Sequence, residues 1–288
     1  MTASLGVGCA PLGNLYEPVT DEDAAATIDA AWEAGIRFFD TAPLYGNGLS
    51  ERRLGESLRS RPRHEYRVST KVGRLLVPGA EGPGIFVDTP RLRPRFDFSY
   101  DGVMASVEAS LGRLGLDRVD VLLVHDPDDF AEEALAGAFP ALRRLRDEGV
   151  TSAIGAGMNQ SEMLARFVRE AEVDCVLVAG RWTLIDRSAG EDLLPLCHER
   201  SVEVIAGGVF NSGLLAGPDD SAHYDYRPAP GHLVESARRM AAACRRRGLS
   251  LPAAALAFAG AHPAVSTVLV GVRSPEEVWA DVEAFGAT

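Results

Sequence analysis

Lys71 is the only lysine in the chain; every other residue in its total of 29 Lys+Arg is arginine. A position that keeps a lysine against such a skew is a candidate for work that arginine cannot do. An ammonium is a compact charge whose pKa moves readily on burial, whereas a guanidinium is a planar fork that stays charged. Lys71 closes the run Tyr66-Arg67-Val68-Ser69-Thr70-Lys71, which reads as a strand entering a Val72-Gly73 turn. Three more groups able to bind or move protons stand at or just past apolar runs: Asp40, Tyr45 and His125. Each has an ordinary structural alternative. Asp40 could cap a turn, Tyr45 beside Gly46-Asn47-Gly48 could be a loop tyrosine, and His125 could be a core histidine. Two chemistries need such a lysine: tuning of a neighbouring acid, or Schiff-base formation by a desolvated amine, as in an aldolase.

The elements that would bring these groups together alternate along the whole chain. Short apolar runs at 5–8, 37–40, 67–71, 119–125, 152–155, 175–179, 202–206 and 266–270 read as strands. Helical patterns separate them at 23–34, 50–59, 101–114, 131–148, 161–170, 191–199, 234–247 and 275–284, with a further alanine-rich helix at 251–261. Thr20 and Ser50 have N-cap character, and Gly35, Gly115, Gly149 and Gly248 stand where helices should end. Eight strand–helix pairs predict a (β/α)8 barrel forming one domain over 1–288. A doubly wound dinucleotide fold needs a glycine fingerprint after the first strand. Gly6-Val7-Gly8-Cys9-Ala10-Pro11 lacks its third glycine and puts Pro11 where the helix should open. In a barrel, Asp40, Tyr45, Lys71 and His125 fall at the C-terminal ends of the second, third and fourth strands and face one mouth. Two long loops, 75–99 and 207–231, read as lids or binding loops.

Bulk properties narrow the function classes. A net charge of −12 argues against nucleic-acid or anionic-membrane binding, and Arg245-Arg246-Arg247 reads as a helix end complementing its dipole. Cys9, Cys175, Cys197 and Cys244 are too widely spaced for a zinc site or a disulfide framework, which suits a reducing cytoplasm. Met1-Thr2-Ala3-Ser4 shows no signal-peptide pattern, and no apolar run reaches the length of a membrane span. The expected partner is a small molecule; oligomeric state is not legible.

The stretch Gly35-Ile36-Arg37-Phe38-Phe39-Asp40-Thr41-Ala42-Pro43-Leu44-Tyr45-Gly46, with Ser50-Glu51, resembles the Asp-Thr-Ala-x-x-Tyr-Gly signature of the aldo-keto reductases. Ser69-Thr70-Lys71 and Val121-Leu122-Leu123-Val124-His125 resemble that family's lysine and histidine segments. The resemblance implies a nicotinamide-dependent oxidoreductase of carbonyl and alcohol compounds. Tyr45 would be its proton donor or acceptor, Lys71 and Asp40 its tuning pair, and His125 the orienter of the substrate oxygen. A phenol titrating near 10 needs help at neutral pH, and an adjacent ammonium favours its anion.

The same resemblance implies the cofactor contacts. Asn159 would hold the carboxamide, Trp182 would stack on the nicotinamide, and Arg181 stands in place of the usual glutamine. Gly208-Val209-Phe210-Asn211-Ser212-Gly213-Leu214 resembles the pyrophosphate loop, so Phe210, Asn211, Ser212, Gly213 and Leu214 are expected at the dinucleotide. Gly271, Arg273, Ser274, Glu277 and Asp281 would meet its adenosine end, where a helix N-terminus favours anions. Arg273 and that helix end favour NADP(H) over NAD(H), provided that Glu277 rotates towards solvent. Phe96-Asp97-Phe98-Ser99-Tyr100-Asp101-Gly102-Val103 and His125-Asp126-Pro127-Asp128 resemble the branch containing L-fucose (D-threo-aldose) 1-dehydrogenases and pyridoxal dehydrogenases, which implies an aldose as a substrate. The chain is expected to lack the N-terminal hairpin and C-terminal tail usual in the family. A nucleotide-binding sensor without catalysis, and an aldolase using Lys71, are the alternatives on this fold.

Overall fold

The computed structural model describes residues 3–79, 84–219 and 222–287. Its strands are β1 (Ser4–Gly8), β2 (Phe38–Asp40), β3 (Arg67–Val72), β4 (Arg74–Pro78), β5 (Leu92–Phe96), β6 (Val121–His125), β7 (Ala153–Met158), β8 (Cys175–Ala179), β9 (Glu203–Gly207), β10 (His223–Tyr224), β11 (Arg227–Pro228) and β12 (Val265–Gly271). Eight of these, in the order β1-β2-β3-β6-β7-β8-β9-β12, pair in parallel and close on themselves, so the (β/α)8 barrel expected from the alternation is the fold observed. Helices α1 (Asp21–Glu33), α2 (Leu49–Leu58), α3 (Tyr100–Leu114), α4 (Ala131–Glu133), α5 (Phe139–Asp147), α6 (Ser161–Glu170), α7 (Leu193–Arg200), α8 (Gly231–Arg245), α9 (Leu251–Gly260) and α10 (Pro275–Gly286) surround it. Among the described residues no helix is long and apolar enough to cross a membrane.

Strand alternation explains which side chains reach the barrel axis. Phe38, Leu123, Leu177, Ile205 and Leu269 pack as one inner cluster, while Val68, Leu122, Val124, Val176 and Val178 join the larger cluster beneath the helices. Both faces of each strand are therefore apolar, as parallel sheets require. Two residues beyond Phe38 stands Asp40, and two beyond Leu123 stands His125, so both also turn inward. Lys71 pairs with Leu123 across β3 and β6, and Asp40 pairs with Ser69 across β2 and β3. Four polar groups thus cap the apolar interior at one rim.

Three local readings are corrected. Ser50 is not an N-cap: α2 starts at Leu49 behind Gly48, which sits at φ 88°, and the Ser50 hydroxyl is buried. Thr20 does cap α1, accepting from the Asp23 amide. Much of the expected loop 75–99 is an antiparallel hairpin of β4 and β5, and the loop 207–231 contains the short hairpin of β10 and β11.

Candidate active site

Lys71 is 1% exposed, and each of its three ammonium hydrogens has an acceptor. Nζ donates to Asp40 Oδ2 at 2.7 Å, to the Thr41 carbonyl at 2.9 Å and to Tyr45 Oη at 3.0 Å. The other carboxylate oxygen of Asp40 accepts from Ser69 Oγ at 2.9 Å. A buried ion pair survives only when its remaining lone pairs and protons are satisfied. That condition is met here. It also argues against a nucleophilic Lys71, since Nζ is committed to three acceptors, a carboxylate at 2.7 Å among them.

The loop carrying Tyr45 is held from behind. Gly46, at φ 64°, lies so close to Gly13 that an added Cβ would stand 2.3 Å from the Gly13 carbonyl oxygen. Ser50 Oγ donates to the Cys9 carbonyl at 2.8 Å, and Thr41 Oγ1 lies 2.8 Å from Ser50 Oγ. Ser50 spends its one hydrogen on Cys9, so Thr41 is the donor to it. On the outer side of β3, Thr70 Oγ1 donates to Glu51 Oε1 at 2.7 Å, and Arg113 Nε donates to Glu51 Oε2 at 2.6 Å. Arg53, also buried, donates to the carbonyls of Leu12 and Val19 and to Asn14, fixing the β1–α1 loop. The Ser50-Glu51 pair in the sequence therefore reports scaffolding beneath the two strands that present Asp40 and Lys71.

Burial sets the protonation states. It pushes the Tyr45 phenol well above its ordinary 10, with Asp40 and Asp126 adding to the shift and Arg74 opposing it. The Lys71 ammonium, 3.0 Å from the phenol oxygen, can stabilise a phenolate once one forms, but burial dominates and the resting phenol is neutral at neutral pH. His125 goes the other way: burial, then Arg74 and Lys71, hold it well below 6.5. Its ring meets Tyr45 edge-on at 5.9 Å between centroids. Among the described residues the buried Nδ1 has no partner, and an unpaired acceptor costs less than an unpaired donor, which places the proton on Nε2. The arrangement presents a neutral phenol backed by an ammonium, and a neutral imidazole donor. Such a pair can hold an oxygen and exchange a proton with it, but supplies no electrons.

Tyr45 and Asp40 line the inner end of a cleft of about 1160 Å³ that passes Phe210, Ser212 and Gly213 and ends at α10. Gly271, Arg273, Glu277 and Asp281 line the far end, and Ser274 caps α10 through the Glu277 amide. A continuous groove from proton-transfer groups to a helix N-terminus fits an extended dinucleotide, with the phosphates along 208–213. Asn211, in the same segment but not on the cleft wall, donates from Nδ2 to the Gly180 carbonyl at 3.2 Å, and among the described residues its buried Oδ1 has no partner. When bound, a nicotinamide at the inner end would supply the hydride acceptor or donor that the side chains lack.

Not every expected contact faces this cleft. The Trp182 indole lies against Phe258 at 4.7 Å between centroids and donates to the Ala259 carbonyl at 3.2 Å, so α9 has claimed it. Arg181 forms a forked pair with Asp225 at 3.0 and 2.9 Å. Leu214 is fully buried in the core beneath α8, and its amide closes a turn on the Asn211 carbonyl. Asn159 stands half-buried just past β7 and donates to the Ala179 carbonyl at 3.0 Å. Residues that the sequence reading passed over line the cleft instead: Tyr16, His223 and Tyr226. Tyr16 and His223 stack at 5.2 Å, and Tyr226, which keeps nearly half its surface exposed, borders the cleft from the β10–β11 turn, where Asp225 and Tyr226 both have positive φ. That turn lacks the glycine or asparagine that normally announces its type, so the sequence carries no signal for it.

The sequence pattern of the aldo/keto reductase family matches residues 4–287. A D-threo-aldose 1-dehydrogenase from Pseudomonas sp is 45% identical, over 97% of this chain and 88% of that protein. A pyridoxal 4-dehydrogenase from Microbacterium luteolum is 39% identical, over 98% of this chain and 89% of the relative. Among solved structures, an aldo-keto reductase from Bacillus halodurans in its holo form superposes with a TM-score of 0.76 at 26% identity, covering 100% of this chain and 88% of that one. The chain belongs to the aldo/keto reductase family and is an NAD(P)-dependent oxidoreductase acting on a small molecule.

Proposed function

We propose that the chain is an aldose 1-dehydrogenase that oxidises a free sugar at its anomeric carbon to the lactone, with NAD as the preferred acceptor. The observation that carries this is the Tyr45–Lys71–Asp40 relay, opening beside His125 onto one cleft that runs to α10. Similarity to a D-threo-aldose 1-dehydrogenase across almost the whole chain supports the sugar substrate. In this reading His125 Nε2 donates to the reacting oxygen and fixes its position. During oxidation the anomeric hydroxyl gives its proton to the Tyr45 oxygen in its phenolate form as the C=O bond forms, and the hydride lost from C1 is the one that a bound oxidised nicotinamide would accept. In the reverse direction Tyr45 returns the proton, and Lys71 stabilises the phenolate left behind.

The preference for NAD(H) reverses the expectation drawn from the sequence, which needed Glu277 to swing away. Glu277 Oε2 accepts from the Arg273 amide at 2.8 Å, so its carboxylate is tied to the helix end. Arg273 is itself engaged, 3.0 Å from Glu17 and 3.8 Å from Glu277. Asp281, one turn along, also lines the cleft, and burial beside Glu277 pushes its carboxyl up to about 7. Two carboxylates on one guanidinium, with the Asp281 carboxyl further along the same cleft, suit ribose hydroxyls and repel a 2′-phosphate. The expected result is aldose oxidation with NAD, and NADH binding about tenfold or more tighter than NADPH. The gap should widen as pH rises through about 7, where Asp281 becomes an anion, and shrink in Glu277→Gln. Titration of both cofactors on either side of that pH checks this; equal affinities on the alkaline side contradict it.

A further inference from the structure

The relay accounts for Asp40, Tyr45, Lys71 and His125, but a second charged pair stands beside it. Asp126 immediately follows β6 and adopts φ 43°, a left-handed conformation that aspartate tolerates better than most residues. Its Oδ2 accepts from Arg74, the first residue of β4, at 2.8 Å, and lies 3.5 Å from His125 Nε2. The carboxylate side chain is 26% exposed and the Arg74 side chain 17%. Arg74 stacks on Phe96 at 4.8 Å and so ties Asp126 to the β4–β5 hairpin. His125 links the pair to the relay: its Nε2 lies 3.5 Å from Asp126 and its ring stands edge-on to Tyr45 at 5.9 Å between centroids.

We infer that Asp126, held by Arg74, is a specificity-determining residue that accepts a hydrogen bond from the sugar hydroxyl on C2, next to the reacting carbon. The inference rests on the aldose reading above. If O1 sits between Tyr45 Oη and His125 Nε2, a hydroxyl on the adjacent carbon lies about a hydrogen-bond length from it, on the side where Asp126 flanks the imidazole. Arg74 occupies one carboxylate oxygen, and among the described residues no hydrogen bond involves the other, Oδ1. Burial raises the Asp126 carboxyl and the Arg74 guanidinium opposes that shift, so the pair holds an acceptor in a half-enclosed place. A site built to bond a hydroxyl discriminates strongly against the analogue that lacks it, because its own polar group is then left unpaired. Simple aldehydes would forgo this contact.

The test is a cycle between enzyme and substrate. The aldose oxidised fastest from a panel including L-fucose and L-galactose is compared with its 2-deoxy counterpart, by kcat/KM, in the parent and in Asp126→Asn. Asparagine tolerates the same backbone conformation. The parent should favour the 2-hydroxy sugar by about thirtyfold or more, and Asp126→Asn should bring that ratio to within about threefold of one. If Asp126 acts only by orienting His125, both sugars lose the same factor and the ratio stays, which overturns the inference alone. A parent that oxidises both sugars equally overturns it without any variant. A parent that reduces simple aldehydes yet oxidises no aldose overturns both this inference and the proposed function.

Discussion

Tyr45→Phe is expected to lower kcat by about a thousandfold or more in both directions while changing NADH affinity by less than about twofold. The substitution removes one oxygen and leaves the ring, which packs edge-on to His125 and 6.0 Å from Phe86. Lys71 Nζ loses one of its three acceptors but keeps Asp40 and the Thr41 carbonyl. The variant should therefore fold, and the loss should fall on the proton-transfer step. Steady-state rates together with a cofactor titration check this. A Tyr45→Phe enzyme as fast as its parent would remove Tyr45 from the chemistry.

Lys71→Met should abolish measurable turnover and also destabilise the fold, by about 3–5 kcal/mol, because it strands a buried carboxylate. Lys71 and Asp40 are 1% and 3% exposed in their side chains, so water does not replace the lost partner. The destabilisation separates this variant from Tyr45→Phe, which leaves the ion pair intact. Lys71→Arg should not rescue activity. Three acceptors converge on Nζ from Asp40, Thr41 and Tyr45, a pattern a rotating ammonium meets and a planar fork does not. Urea midpoints and turnover for both variants decide the matter. A fully active Lys71→Arg would mean that charge alone suffices.

That last contrast explains why so much of the site was legible in the sequence. In a chain that uses arginine wherever a generic cation serves, the one lysine marks the one place where shape matters. Strand periodicity then placed Asp40, Lys71 and His125 on a common rim, since inward positions recur every second residue. Helix-end glycines were equally readable: Gly35, Gly115, Gly149 and Gly248 all have positive φ. What failed depended on tertiary competition. Trp182 stands three residues past the end of β8, whose end opens on the cleft, yet Phe258 and the Ala259 carbonyl draw its indole outward. Arg181 finds Asp225, 44 residues away, and Asp126 finds Arg74, 52 residues away; no local pattern announces either pair. Glu277 looked free to rotate because a sequence does not show that the Arg273 amide needs an acceptor.

The protonation states of Tyr45 and His125 make the central claim measurable without any substitution. Burial keeps the phenol loaded well past neutrality and keeps the imidazole uncharged well below 6.5. Reduction of an aldehyde at saturating NADH should then proceed at a rate that is flat from about pH 6 to about pH 9, because the acid is present throughout. Oxidation, which needs the phenolate, should climb across the same range. The decisive measurement is the pair of pH–kcat profiles, one for each direction, on the unmodified protein. The account predicts a flat reductive profile and a rising oxidative one. An inflection near 6.5 in both directions, lost in His125→Asn, would contradict it and make the histidine the proton-transfer group.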